Sequence, residues 1–222
     1  NIINKYMKGI KEINKYSWNH ITGEQYWEIF DILHSEASDL QKQAELIALI
    51  EGKPIDEILS LDMSSAAELI NKLEFLNKFE LNKRYHPSSI IIDNKKYNVY
   101  TNLANLNVAQ FIDYQSFIAQ PFRESYDKIL SIFIIPDGHE YNSGYNILEV
   151  QEAIRTKLSW LEIQNLLNFI LVRYADSYNH SLAYLTKKVR KEKNPTKKME
   201  MERNLNQLMK SLKILTSFRS CA

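Results

Sequence analysis

The chain has 222 residues, of which 45% are hydrophobic and 25% charged, with only 5 Gly and 5 Pro. These values exclude a collagen-like or intrinsically disordered protein, and the length suits one large domain or two small ones. The formal net charge of +1 is unevenly distributed, because residues 183–222 hold 11 Lys and Arg against 3 Glu. That segment carries +8, and the remaining 17 basic and 24 acidic residues leave −7 on residues 1–182. Such a split is consistent with head-to-tail contact between subunits, with a basic arm that reaches an acidic partner, or with a solvated helix face.

Cysteine usage and hydropathy limit the compartment and the partners. The single Cys221 excludes an intramolecular disulfide and a zinc site built from several thiolates, which fits a reducing compartment. No apolar stretch approaches the roughly 20 residues that span a bilayer, and the first residues lack the pattern of a secretory signal. We therefore expect assembly in a cytoplasm and no membrane partner.

The first half of the chain has clear helix signals. Apolar residues recur at helical spacing over residues 2–16 and predict a first helix. Thr22 and Ser38 each stand three residues before a Gln, the pattern of a capping box, so two further helices should begin there. The second of these should end at Gly52, where a left-handed C-cap costs little, and Pro54 suits the first turn of a short helix.

A longer helix is predicted next. Ser64 or Ser65 can cap it, and apolar spacing places Leu73 and Leu76 near its centre, with an end before Pro87.

The pattern then changes to that of β structure. Three consecutive β-branched residues at 90–92 are followed by a turn at Asp93 and Asn94 and by Tyr97, Val99 and Tyr100. This predicts a β-hairpin over about 90–100. An isolated two-stranded ribbon is only marginally stable, so a helix or a neighbouring subunit must cover it.

Helices return in the second half. Residues 107–121 have helical spacing, the apolar run 129–135 suits a buried helix or a central strand, of which we favour the helix, and residues 147–185 predict two long helices. A basic run and the break at Asn194 and Pro195 precede a final amphipathic helix. The fold class is therefore mainly α: a multi-helix domain with one small β-hairpin and a C-terminal helical arm. We divide it into residues 1–82, residues 83–185 packed with them, and a basic arm at 186–222.

Catalytic and metal-binding patterns are weak. The five histidines are scattered, with no pair at the His-x-x-x-His spacing, and the five glycines stand alone rather than in a phosphate-binding loop. His139 and Glu140 lie together in the loop 136–145, but a nucleophile with its own base cannot be assembled from these neighbours. We expect no catalytic residue, no metal and no cofactor. A structured turn that presents tyrosines to a partner is the favoured interpretation of this loop.

Two sets of candidate contact residues follow. The candidate protein interface comprises Tyr97, Tyr100, His139, Tyr141, Tyr145, Leu205, Leu208 and Leu212. The candidate basic arm comprises Lys187, Lys188, Arg190, Lys191, Lys193, Lys197 and Lys198. The basic residues could also contact nucleic-acid phosphates, but no reader motif accompanies them, so protein partners are favoured.

Three stretches carry a more specific pattern. They are residues 21–26 (ITGEQY) with 46–54 (LIALIEGKP), the hairpin leading to 108–114 (VAQFIDY), and 135–145 (IPDGHEYNSGY). Together they resemble proteins of the tail and head-to-tail modules of bacteriophages that infect Bacteroides-type hosts, including crAss-like phages. The first stretch is also similar to tail assembly chaperones.

This resemblance implies a non-enzymatic structural or assembly protein of the virion, built in the host cytoplasm. Its expected partners are other phage structural proteins and further copies of itself in a ring. A chaperone that is absent from the mature virion is the alternative.

Overall fold

The computed structural model describes residues 15–82, 84–100, 106–203 and 205–206. Its helices are α1 (Gly23–His34), α2 (Asp39–Glu51), α3 (Ile55–Leu59), α4 (Met63–Lys72), a 3-10 helix (Leu73–Asn77), α5 (Val108–Ile118), α6 (Phe122–Phe133), α7 (Ile147–Lys157) and α8 (Trp160–Lys191). Its strands are β1 (Ser89–Ile92), β2 (Lys95–Val99) and β3 (Ile134–Pro136). The mainly helical fold class with a small β element is confirmed. Of the described helices, none is both long and apolar enough to cross a membrane.

The chain forms two compact units. Unit 1 comprises Asn1–Glu80 and Ser159–Leu161, and unit 2 comprises Leu81–Leu158 and Glu162–Ala222. Unit 1 is therefore built from two segments that are distant in the sequence. The helix predicted over residues 2–16 lies almost wholly outside the described residues.

The predicted helix ends of unit 1 are largely confirmed. The Thr22 hydroxyl accepts the Gln25 backbone N–H at 3.2 Å, and the Gln25 side chain accepts the Thr22 N–H at 3.0 Å, so this capping box is complete. Ser38 caps α2, but its box is only half formed, because the Gln41 side chain donates to Glu45 instead. Gly52 ends α2 with a left-handed φ of 66°.

The cap and the extent of the next helix were predicted wrongly. Asp62 caps α4, because one of its carboxylate oxygens accepts the N–H groups of both Ser64 and Ser65 at 3.0 Å. The α-helix ends at Lys72, and Leu73 and Leu76 lie in the 3-10 helix. There the Phe75 carbonyl accepts the Lys78 N–H at 2.9 Å and the Trp18 indole N–H at 3.1 Å, so tertiary bonding favours the tighter helix.

An aromatic cluster forms the core of unit 1. The Trp18 ring lies edge-on to Phe75 and Phe79 at centroid distances of 5.4 and 5.3 Å. Tyr26 stacks on Trp160, with ring centroids 3.7 Å apart and planes at 9°. The Trp160 N–H also donates to the Ile21 carbonyl at 2.6 Å. The distant segment 159–161 thus completes this core.

Unit 2 contains a three-stranded antiparallel sheet in the order β1-β2-β3. The predicted hairpin is confirmed, and Asp93 and Asn94 form its turn with φ of 49° and 61°. The helix predicted over 129–135 is correct through Phe133 but wrong for Ile134 and Ile135, which are in β3. β-Branched residues favour a strand there, and the Phe133 carbonyl accepts the Tyr100 N–H at 2.8 Å, which joins the helix end to the sheet.

The core of unit 2 lies around α6, which packs between α5 and α7. Leu130, Ile132, Phe133 and Ile134 have no exposed surface. A third strand and helices of the same chain therefore cover the hairpin.

The last long helix extends further than predicted. α8 continues through Thr186 to Lys191, so the predicted helix is confirmed and its predicted end at 185 is six residues early. A break is present, but it covers residues 192–194 rather than Asn194 and Pro195, because Pro195 already begins the helical residues 195–203. Leu208 and Leu212 lie outside the described residues.

Candidate protein interface

A groove of about 630 Å³ lies in unit 2, where the hairpin, the loop after β3 and α7 meet. Its walls include three of the predicted interface residues, namely Tyr97, His139 and Tyr145. Carboxylates of Glu149 and Glu152 stand on its α7 side. Residues of the loop 136–145 thus form one wall of this groove.

Backbone geometry makes this loop tight. Gly138 and Gly144 have φ of 81° and 76°, and Asn142 has φ of 58°, so three positions adopt left-handed conformations. The His139 ring lies edge-on to Tyr145 at 5.8 Å. A Cβ atom at Gly144 would approach the His139 Nδ1 atom to 2.9 Å, so glycine is required both for its φ and for its small size.

Two of the predicted interface tyrosines are buried inside unit 2 rather than presented at its surface. Tyr141 is 7% exposed, and its hydroxyl donates to the Asp113 carboxylate at 2.8 Å. Burial, reinforced by this hydrogen bond, raises the pKa of Tyr141. Tyr97 is 6% exposed, and burial, with the charges of Asp93 and Glu149, raises its pKa as well. Their apolar rings fill the core beneath the sheet and loop.

The other predicted interface residues between positions 97 and 145 are more accessible. His139 is exposed, Tyr145 is half-buried, and Tyr100 is 41% exposed. Hydrogen bonds from Asn98, at 2.8 Å, and from Lys96, at 3.2 Å, lower the pKa of Asp137 and fix the start of the loop to β2. Within the described ranges, no three His, Cys, Asp or Glu side chains lie close enough together to hold a metal ion. The lining of the groove combines charged side chains with aromatic and aliphatic ones.

The helix α5 presents an apolar face that sequence reasoning missed. Its spacing predicts one apolar stripe, but the residues buried in the structure are Gln110, Tyr114 and Ile118. Val108, Phe111 and Ile112 are instead 76%, 47% and 57% exposed. The signal was present, since these residues have the i, i+3, i+4 spacing of one face, but spacing alone does not tell which face is buried.

A second exposed apolar surface lies in unit 1 between α3 and α4. Leu59, Leu61 and Met63 are 65%, 36% and 80% exposed. We call residues 56–63 the α3–α4 elbow. Acidic residues at 56, 57 and 62 are interleaved with these apolar side chains.

The basic residues predicted for the arm are accessible. All seven are exposed, and the Lys188 ammonium lies 5.3 Å from the centroid of the exposed Tyr184 ring. Val189 is buried, so this end of α8 has one packed face. Leu205 is partly exposed.

In the part of the chain that the structure describes, the main candidate contact surfaces are the exposed apolar side chains of α5 and of the α3–α4 elbow and the exposed basic residues of the arm. Comparison of the chain with protein-family models, with curated proteins and with solved structures finds no match.

Proposed function

We propose that this chain is a non-enzymatic structural or assembly protein of a tailed bacteriophage. It acts through protein–protein contacts in the tail or head-to-tail region of the virion, together with other phage structural proteins and further copies of itself. The observation that carries the proposal is the exposure of large apolar side chains on ordered helices.

The exposed face of α5 supports a binding role most directly. Val108, Phe111 and Ile112 lie on consecutive turns of one helix, and each leaves about half or more of its surface in water. Burying such side chains against a partner yields about 25 cal/mol per Å² of apolar area. Contiguous exposed apolar surface of this kind is typical of protein interaction sites.

The assignment to a phage has a different basis. It depends on the resemblance of residues 21–26 with 46–54, of the hairpin leading to 108–114, and of residues 135–145 to tail and head-to-tail proteins. In the structure these stretches include the start of α1, the end of α2, the hairpin of β1 and β2, the first half of α5 and the loop after β3. Phe111 in the second stretch and His139 in the third are exposed.

Mass spectrometry of purified virions tests the proposal. A structural protein should be present in mature particles in a fixed ratio to the other tail proteins. Its presence in infected cells together with its absence from particles would favour a tail assembly chaperone.

A matched pair of variants tests the α5 surface. Phe111→Ser with Ile112→Ser should prevent incorporation into particles without unfolding the chain, because both side chains are already largely exposed. Ser116→Ala, an exposed change on the same helix, serves as the control and should be incorporated normally. Normal incorporation of the double variant would show that the exposed face of α5 is not needed for assembly, and α5 would then no longer support the proposal.

Nucleic-acid binding is the second candidate, because the seven exposed basic residues between 187 and 198 could contact phosphates. Its test is DNA affinity at low salt before and after Lys187, Lys191 and Lys197 are replaced by Gln. We expect at most weak binding of the wild-type chain, without sequence preference. Tight binding that these replacements abolish would favour the second candidate.

A further inference from the structure

The α3–α4 elbow borders a shallow groove of about 450 Å³ within unit 1. Apolar side chains of Ile58, Leu61 and Leu69 line it, and Leu59 and Met63 stand exposed beside it. Exposed apolar side chains next to a groove are the arrangement into which an amphipathic helix packs.

Charge identifies the kind of helix that fits. Glu51, Glu57 and Glu68 line the groove together with one cation, Lys53. Glu51 is paired with Lys15 and Glu68 with Lys72, whereas within the described residues Glu57 takes part in no ion pair. The surroundings are similar, since residues 15–80 contain 13 acidic and 5 basic residues, a net charge of −8. Within the described residues Asp56 takes part in no ion pair, so it is free to meet a cation. The partner segment should be basic with a few apolar side chains.

The chain itself contains such a segment. Residues 187–198 carry seven Lys and Arg against one Glu, a net charge of +6, and we call them the basic segment. All seven cations are exposed, and the segment is flanked by Tyr184 and Met199, which are 61% and 69% exposed. Helical turns at both ends, in α8 and at 195–203, hold the flanking apolar side chains on preformed structure.

We infer that the α3–α4 elbow of one copy binds the basic segment of a second copy. This inference rests on the proposed assembly function and identifies two surfaces by which copies join. Because the two surfaces differ, the contact is head-to-tail, which leaves each copy with one free surface and allows a ring or a chain of copies. Opposite charges accelerate and orient the encounter, and the apolar side chains of the elbow and of Met199 anchor it.

Charge reversal tests the contact, with the self-association of the purified full chain measured by sedimentation velocity at 50 mM and 500 mM salt. The wild-type chain should associate at micromolar concentration, and higher salt should weaken this association at least tenfold because ions screen exposed charges. The elbow variant, Asp56→Lys with Glu57→Lys, and the segment variant, Lys187→Glu with Lys191→Glu and Lys197→Glu, should each associate at least tenfold more weakly. Asp62 is left unchanged because it caps α4.

Mixing the two variants distinguishes binding between copies from a general effect of charge. The elbow variant keeps an intact basic segment and the segment variant keeps an intact elbow, so these two surfaces can pair, and an equimolar mixture should recover association that neither variant has alone. A matched control, Glu24→Lys with Glu28→Lys, reverses two exposed carboxylates of unit 1 outside the elbow and should associate like the wild-type chain. Circular dichroism establishes that every variant is folded.

Three results would overturn the inference: a monomeric wild-type chain at both salt concentrations, undiminished association of both variants, or a mixture that stays dissociated. Each is separable from the proposed function, because presence in purified virions is measured independently. A chain that is found in virions but shows one of these results would retain its assembly role and would lose this contact.

Discussion

Unit 1 closes its core with a segment that is distant in the sequence, whereas unit 2 is assembled mainly from consecutive elements. In unit 1, Tyr26 of α1 stacks on Trp160, which the chain reaches only after most of unit 2. In unit 2, α6 packs on α5, β3 and α7, which are its neighbours in the sequence, and contains fully buried residues such as Leu130 and Ile132. The stability of unit 1 therefore depends on one aromatic side chain more than that of unit 2 does.

Replacement of Trp160 by Ala gives the largest effect that this comparison predicts. Trp160 is 3% exposed and stacks on Tyr26, so its loss should lower the free energy of unfolding by about 3–5 kcal/mol. Urea unfolding measures the loss, and hydrogen exchange should accelerate more in α1 than in α6. Trp160→Phe, which keeps an aromatic ring, should lose less than half as much. A loss below about 1 kcal/mol for the Ala variant would contradict the dependence of unit 1 on the Trp160 side chain.

A smaller effect is expected for the hydrogen bond from Tyr141 to Asp113, which is one of the side-chain contacts that fix the loop 136–145. Tyr141→Phe removes the hydroxyl that donates to Asp113 and should lower the free energy of unfolding by about 1 kcal/mol. Tyr100→Phe removes a hydroxyl from a side chain that is 41% exposed, and it serves as the control with little expected change. Equal losses in thermal or urea unfolding for the two variants would contradict a structural role for the Tyr141 hydroxyl.

The smallest effect concerns the response of unit 2 to pH. Asp127 is 5% exposed, and burial raises its pKa, although the Lys128 backbone N–H and the charge of Arg155 oppose the shift. The folded state therefore holds this proton more tightly than the unfolded state does, so stability falls as the pH rises from the ordinary value of 3.8 through the raised pKa. Asp127→Asn should remove that fall, and its stability relative to the wild-type chain should be greater at pH 7 than at pH 4.

Asp137 provides a contrast of opposite sign. Hydrogen bonds from Asn98 and Lys96 lower its pKa, so its contribution is present at neutral pH and is lost as the pH falls through the lowered value. Asp137→Asn should therefore be less stable relative to the wild-type chain at pH 7 than at low pH. The same sign for both variants in urea unfolding at the two pH values would contradict these assignments.

Local signals explain most of what the sequence predicted correctly. The cap at Thr22, the C-cap at Gly52 and the turn at Asp93 and Asn94 each depend on bonds or dihedral angles within a few residues. Such features depend little on tertiary contacts with the rest of the chain. The mainly helical class and the hairpin follow from them.

Tertiary contacts explain the errors. The helix was predicted to run through Leu73, but the indole of Trp18 bonds to the Phe75 carbonyl from a distant part of the sequence. Ile134 was predicted to be helical, but it pairs with β2 and is part of a strand. For the candidate site, Tyr97 and Tyr141 were predicted at an interface because composition reports aromatic content but not which rings fill the core.

The divided sequence of unit 1 has a consequence for synthesis on the ribosome. Its first segment ends at Glu80, but its core is complete only when Trp160 has emerged. At a translation rate of about 5–20 residues per second, the intervening chain takes roughly 4–16 s to synthesise. During that interval Tyr26 and Trp27 lack the Trp160 ring that they contact in the folded chain. We therefore expect the core of nascent unit 1 to stay incomplete, with aromatic surface exposed, until the second half of the protein has been made.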